Sequence, residues 1–178
     1  MKKSYIFIVI ALMIIGLVYA AFYNDEAWHP KEGRLTSSID YLEDADVMKM
    51  IEKQLGDVDY AAIVYATEAR TTPNSWFHRV IVGNPYDSTY YEIKADVEHT
   101  VLGPEYSSIN YTSAGRADSR PEKPEAAYAM LVLLCGDSSD HLYAPETAYE
   151  FPASKEMIEY FKQREKLPAL KQDSSVCP

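Results

Sequence analysis

The longest apolar run outside the N-terminus extends from Ala126 to Cys135, ten residues without a charge. Pro121 and Pro124 precede this run, and Gly136 follows it. A run without a polar face must be buried on both sides, which is typical of a central strand in a packed sheet. Its Ala, Met and Leu residues also favour a helix, which Pro124 and Gly136 could delimit. We interpret it as a central strand because the segments before it predict strands that need a partner.

Alternation of apolar and polar residues predicts several β-strands around this run. The alternation is most regular from Tyr90 to Val101, where Ile93 and Ala95 point to one face and Glu92 and Lys94 to the other. Such a strand is half-buried, with one face in solvent. The other predicted strands are Val58–Ala69, Trp76–Val82, Tyr106–Thr112 and Leu142–Phe151, the last interrupted by Pro145.

Two amphipathic helices are predicted at the ends of this strand region. Asp44 is a candidate N-cap for the first helix, which ends before Gly56. Ser154 is a candidate N-cap for the second helix, which runs through Arg164. The predicted order is helix, four strands, polar loop, buried strand, edge strand and helix. We therefore expect a mainly β fold with flanking helices, in the form of a small antiparallel barrel.

The first twenty residues predict a targeting segment. Lys2 and Lys3 precede an uncharged stretch from Tyr5 to Phe22, which is the pattern of a secretory signal peptide with Ala20 as its last residue. The alternative is an uncleaved membrane anchor, because eighteen helical residues span about 27 Å. Both interpretations place the remaining chain outside the cytoplasm: periplasmic or secreted after cleavage, or held at the membrane by a single-pass anchor.

Changes in composition divide the remaining chain into three segments. We predict a linker or arm over residues 21–43, a single domain over 44–170 and a C-terminal tail over 171–178. Removal of residues 1–20 changes the net charge from −10 to −12, because the segment carries two lysines and no acids. An acidic body of this kind argues against nucleic acid as a partner, since nucleic-acid binding needs a basic patch.

The two cysteines, Cys135 and Cys177, are both in the exported part of the chain. An even number of cysteines in an oxidising compartment predicts a disulfide. The alternative is a buried Cys135 that packs as a small apolar residue, with Cys177 free on the tail.

Three segments resemble the netrin-like and metalloproteinase-inhibitor (TIMP-like) domains. Tyr91–Gly103 is similar to their strand that ends in a Leu-Gly turn, Asp57–Tyr65 to their first strand, and Ala126–Cys135 to their buried strand before a cysteine. The resemblance covers Asp57 to Pro152 and implies an OB-like barrel. The inhibitors act through an N-terminal cysteine that chelates the protease metal. Because Ala21–Trp28 has no cysteine, that inhibitory chemistry is not expected here.

Few residues point to catalysis, and no motif points to a cofactor. The sequence lacks the Ser-hydrolase elbow, the zinc-protease helix motif and the phosphate-binding glycine loops. Asp137, Asp140 and His141 are the only close cluster of metal-ligand types, which makes a metal-dependent hydrolase one hypothesis. We favour a hairpin turn for this segment, because Asp and Ser bond to their own backbone in turns.

Tyrosine is abundant, at 15 of 178 residues. Tyr90, Tyr106 and Tyr111 lie on or near one pair of predicted strands, where aromatic rings could stack on a sugar or on partner side chains. The alternative is that sheets simply favour tyrosine.

The sequence therefore favours a non-catalytic extracytoplasmic binding module with a protein or glycan partner. A metal-dependent hydrolase and a membrane-tethered scaffold are the alternatives.

Overall fold

A computed structural model describes residues 28–72, 89–115, 126–145, 149–164 and 176–177, together with 12, 13 and 15. The chain is mainly β with two α-helices, as the sequence predicts. The elements are β1 (Glu32–Leu35), a 3-10 helix (Tyr41–Glu43), α1 (Ala45–Leu55), β2 (Tyr60–Thr72), β3 (Thr89–Leu102), β4 (Ser108–Gly115), β5 (Ala126–Leu134), β6 (Leu142–Tyr143), β7 (Glu150–Pro152) and α2 (Lys155–Gln163).

Both helices begin at the caps that the sequence predicts. The Asp44 side chain accepts hydrogen bonds from the backbone N–H groups of Asp46 and Val47, each at 3.1 Å. The Ser154 hydroxyl accepts one from the Met157 N–H at 3.0 Å. These bonds satisfy N–H groups that have no partner inside the helix, so they fix where each helix starts.

The strands form one sheet with the order β1–β5–β2–β3–β4–β6, and β7 also pairs with β5. Along one edge, β5 pairs antiparallel with β2. Along the other edge it pairs in parallel with β1 and antiparallel with β7. The apolar run is therefore a central strand, as predicted. The predicted strand Leu142–Phe151 is instead two short strands, β6 and β7, and the predicted strand Trp76–Val82 lies outside the described residues.

The core lies on both faces of β2 and β5. Alternate residues of the two strands belong to two apolar clusters: Ile63 and Leu131 to the first cluster, and Val64 and Val132 to the second. Both helices pack on the first cluster through apolar residues such as Ile51, Leu55, Met157, Ile158 and Phe161. This double burial explains why β5 carries no polar face.

The sheet is not closed by its strand ladders. β6 pairs with β4 at only two positions, and a single bridge between Cys135 and Tyr143 links β6 to the end of β5. Both bridging hydrogen bonds are 2.9 Å long. A closed barrel, expected from the sequence, is not confirmed.

The segment predicted as a linker or arm contains ordered structure. β1 pairs in parallel with the start of β5, and the Trp28 backbone pairs with Ala69 of β2. This four-residue strand, Glu-Gly-Arg-Leu, forms along the edge of β5, which is a tertiary effect that local pattern does not encode. The predicted signal peptide or anchor lies almost wholly outside the described residues. Of the helices in the described ranges, none has both the length and the apolar composition of a membrane span.

Candidate functional site

Three neighbouring strands present a polar surface on the face of the sheet that carries the even-numbered residues of β3. The strand register places Glu68, Lys94 and Asn110 in one row across β2, β3 and β4. Arg70, Glu92 and Thr112 form the next row. Cross-strand neighbours lie close enough to act on one ligand together. We call these six residues the polar face.

Both signs of charge occur on the polar face. The Arg70 Nε atom lies 2.5 Å from Glu68 Oε1, so these two charges neutralise each other. Glu92 and Lys94 are exposed, and among the described residues neither side chain has an ion-pair partner. One carboxylate and one ammonium group, two residues apart on β3, are thus available to a ligand.

The turn at residues 136–141 forms a wall beside the polar face. Asn110 holds this turn twice: its side chain donates to Asp140 Oδ1 at 2.8 Å, and its backbone N–H donates to the Ser139 carbonyl at 2.8 Å. The turn begins at Gly136, whose φ of 131° favours glycine. The predicted hairpin turn is therefore present and rigidly attached to β4.

The polar face and this turn enclose an open groove with a volume of about 360 Å³. Besides the six residues of the polar face, its lining comprises Ile93, Tyr111, Asp140 and Leu142. Tyr111 and Leu142 are both 4% exposed, and the accessible lining is about equally polar and apolar. This groove can form hydrogen bonds and ion pairs, and it also offers apolar surface to a ligand.

The predicted metal-ligand cluster does not assemble. Asp140 Oδ1 is engaged by Asn110, and His141 Nδ1 lies 3.1 Å from the Ser138 hydroxyl. Within the described part of the chain, the ligand atoms that converge to within 4.8 Å belong instead to Asp59 and the two cysteines. Those cysteines are bonded to each other, so their sulfurs are not free metal ligands.

The three tyrosines proposed for stacking do not form a common surface in the described residues. Tyr111 is buried in the second apolar cluster. Tyr106 is half-buried, and its ring centroid lies 5.5 Å from that of Tyr60, away from the groove lining. The backbone of Tyr90 pairs with Ala114 on β4, but its side chain lies outside the described part of the structure.

A polar cluster that the sequence analysis missed lies on the opposite face of β4. The Ser113 hydroxyl donates a hydrogen bond to the Glu150 carboxyl of β7, and Tyr111 also hydrogen-bonds this carboxyl. Burial raises the pKa of Glu150 above its ordinary value, although both hydrogen bonds act in the opposite direction. The only sequence signal was one acidic residue between the aromatic residues Tyr149 and Phe151.

Comparison of the chain with protein-family models, curated proteins and solved structures finds no match.

Proposed function

We propose that the protein is a non-catalytic binding module that acts outside the cytoplasm and binds its partner in the groove on β2, β3 and β4. The observation that carries this proposal is the pair of exposed charges Glu92 and Lys94, which have no ion-pair partner among the described residues and lie beside a turn that Asn110 fixes in place. A pre-formed concave site with a few placed polar groups is the usual form of a binding site.

The connectivity of the sheet supports this location. We infer that β2 to β6 form a partly open, OB-like barrel: β2, β3 and β4 form a meander, and the Cys135–Tyr143 bridge joins β5 to β6. OB-type barrels bind ligands on the face of their second and third strands, next to the loop between the fourth and fifth. If the barrel is OB-like, the groove between β3, β4 and the turn at residues 136–141 corresponds to that position.

The groove favours a polypeptide segment over the other partner classes. The net charge of −10 disfavours nucleic acid. The described lining has no exposed aromatic ring on which a sugar could stack. A peptide with one basic and one acidic side chain two residues apart could pair with Glu92 and Lys94 and hydrogen-bond to Asn110 and Thr112. Exposed ion pairs contribute little affinity, so the partner must also use surface around the groove.

The disulfide supports the extracytoplasmic location, because disulfides persist in oxidising compartments. A metal-dependent hydrolase is less favoured, because Asp140 and His141 are engaged by Asn110 and Ser138.

Site-specific photo-cross-linking in cells of the source organism tests the proposal. A cross-linking amino acid at Thr112, inside the groove, should yield a discrete adduct. The same amino acid at Lys49, exposed on α1, is the matched control and should not yield that adduct. The double charge reversal Glu92→Lys with Lys94→Glu should reduce the yield of the adduct while the protein stays folded. Adducts that are the same at both positions, or whose yield the reversal leaves unchanged, would contradict the proposed site.

A further inference from the structure

An exposed carboxylate lies beside the two cysteine sulfurs at the end of β5. Asp59 is the residue before β2, and its carboxylate forms a group with the sulfurs of Cys135 and Cys177. The three ligand atoms all lie within 4.8 Å of one another, and no other three such side chains of the described residues come this close. The group is separate from the groove, whose lining contains none of these residues.

Backbone contacts hold two of the three residues independently of the C-terminal tail. Cys135 exchanges two backbone hydrogen bonds with Tyr143, each 2.9 Å long. The Asp59 N–H donates to the Leu134 carbonyl at 3.1 Å, and the Asp59 carboxylate accepts from the Gly136 N–H at 3.1 Å. Asp59 and Cys135 therefore stay together when the disulfide is broken. A carboxylate that a second group orients by a hydrogen bond is typical of metal ligands.

The three donor atoms are of the types that zinc binds. Zinc takes cysteine thiolates at about 2.3 Å and carboxylate oxygens at about 2.0 Å, usually in tetrahedral geometry. Those bonds place neighbouring ligand atoms about 3.5 Å apart, so the three donors need only small movements to surround an ion. Two thiolates and a carboxylate repel one another, and a divalent cation removes that repulsion. Water completes the four ligands.

The disulfide prevents metal binding, because the thiolate is the form of cysteine that binds a metal. A dithiol reductant removes this block. One of its thiolates attacks the sulfur of Cys177, the less buried of the two cysteines, and the bond to Cys135 breaks. The second thiol of the reductant then releases Cys177, so the reductant becomes a disulfide and the protein gains two electrons and two protons as two thiols. Zinc replaces the two thiol protons, which pass to water.

We propose that Asp59, Cys135 and Cys177 form a zinc site that the disulfide closes and reduction opens. In the reduced chain the ion takes over the role of the disulfide, because it binds one ligand from the tail and two ligands at the end of the sheet. With zinc present, the tail is attached in both redox states. The zinc site does not depend on what the groove binds, so each of the two proposals can fail without the other.

Cobalt(II) reports on the site, because cobalt with tetrahedral thiolate ligands absorbs strongly in the visible and near ultraviolet. Protein reduced with a phosphine and kept free of oxygen should bind a single cobalt ion and lose the absorption when zinc displaces it. The oxidised protein should not develop this absorption. Asp59→Asn removes the charge and keeps an oxygen for the Gly136 N–H. Its affinity for cobalt should fall by about tenfold or more, since even the outer partners of a metal ligand contribute that much.

Asp137→Asn is the matched control, because Asp137 is an exposed carboxylate next to Gly136 that does not belong to the group. Its affinity for cobalt should equal that of the wild type. The proposal is overturned if the reduced wild type gives no tetrahedral cobalt spectrum, or if Asp59→Asn binds cobalt as tightly as Asp137→Asn.

Thermal unfolding distinguishes a folded site from cysteines that bind metal in the unfolded chain. Zinc should raise the thermal midpoint of the reduced protein and leave that of the oxidised protein unchanged, since only binding to the folded state raises the midpoint. If reduction alone unfolds the chain, zinc should restore its far-ultraviolet circular dichroism. A reduced protein that zinc neither stabilises nor refolds would equally overturn the proposal.

Discussion

Cys177 is bonded to Cys135, 42 residues earlier in the chain, with the two Cα atoms 5.4 Å apart. Cys135 is fully buried at the end of β5, and Val176 and Cys177 pack against the first apolar cluster. The disulfide predicted from the even cysteine count is confirmed. It attaches the last residues of the chain to the strand around which both clusters are built.

Loss of this disulfide should strongly destabilise the fold. Cys177→Ala leaves the buried Cys135 in place but frees the tail. Closing a loop of this length is worth about 4 kcal/mol in the chain-entropy model. We expect the free energy of unfolding, measured with urea, to fall by about that amount. Reduction of the wild type should produce the same loss, and reductant should not affect the variant. A loss below about 1 kcal/mol would show that the link contributes little.

Gly136 should not tolerate a side chain. A Cβ atom there would lie 2.2 Å from the His141 carbonyl oxygen, and the φ of 131° is strained for any other residue. We expect Gly136→Ala to cost about 3 kcal/mol in the free energy of unfolding. Gly33→Ala on β1 is the matched control: no atom lies within 4 Å of its Cβ position, and we expect a change below about 0.5 kcal/mol. Equal effects of the two variants would contradict the geometry of this turn.

Local patterns predict the elements whose formation depends on their own sequence. The regular alternation on β3 places Ala95 inside and Lys94 outside, and that prediction is confirmed. The caps at Asp44 and Ser154 also act within one turn of chain, so sequence identifies them directly. The central strand was predictable because a run without a polar face can only be buried.

Features that depend on distant pairing could not be predicted in this way. β1 is only four residues long and has no apolar alternation, and it becomes a strand because the edge of β5 is next to it. The contact between Ser113 and Glu150 joins residues 37 apart, on strands that do not pair with each other. The polar face of the groove likewise depends on the register of three strands, which no single strand encodes.

Divalent cations should not stabilise the protein. Asp140 and His141 are held by Asn110 and Ser138, and their ligand atoms do not converge with those of Asp137. We expect the same thermal midpoint in 1 mM EDTA as in about 1 mM calcium, magnesium or zinc, since only binding to the folded state raises the midpoint. A rise that Asp140→Asn abolishes would favour the metal-dependent hydrolase after all.

Tyr60 should make the fold sensitive to alkali. Its side chain is 1% exposed, and burial raises its pKa from 10.0 to about 12. The folded state therefore keeps this proton up to about pH 12, whereas the unfolded chain loses it near pH 10. Because the unfolded state then binds fewer protons, the stability that Tyr60 contributes is constant below pH 10 and falls as pH rises above it.

Tyr60→Phe should remove the part of this loss that Tyr60 causes, since phenylalanine has no proton to release and keeps the packing of the ring; the raised pKa values of Tyr65 and Tyr111 leave the remainder. At pH 7 we expect its free energy of unfolding to lie within about 1 kcal/mol of the wild-type value, because the buried Tyr60 hydroxyl has no well-formed hydrogen bond in the described part of the chain. Between pH 9 and pH 11 the variant should become progressively more stable relative to the wild type. Tyr106→Phe is the matched control, because it changes the neighbouring ring and retains the Tyr60 hydroxyl. If it flattened the alkaline profile as much as Tyr60→Phe, the loss could not be assigned to the buried hydroxyl of Tyr60.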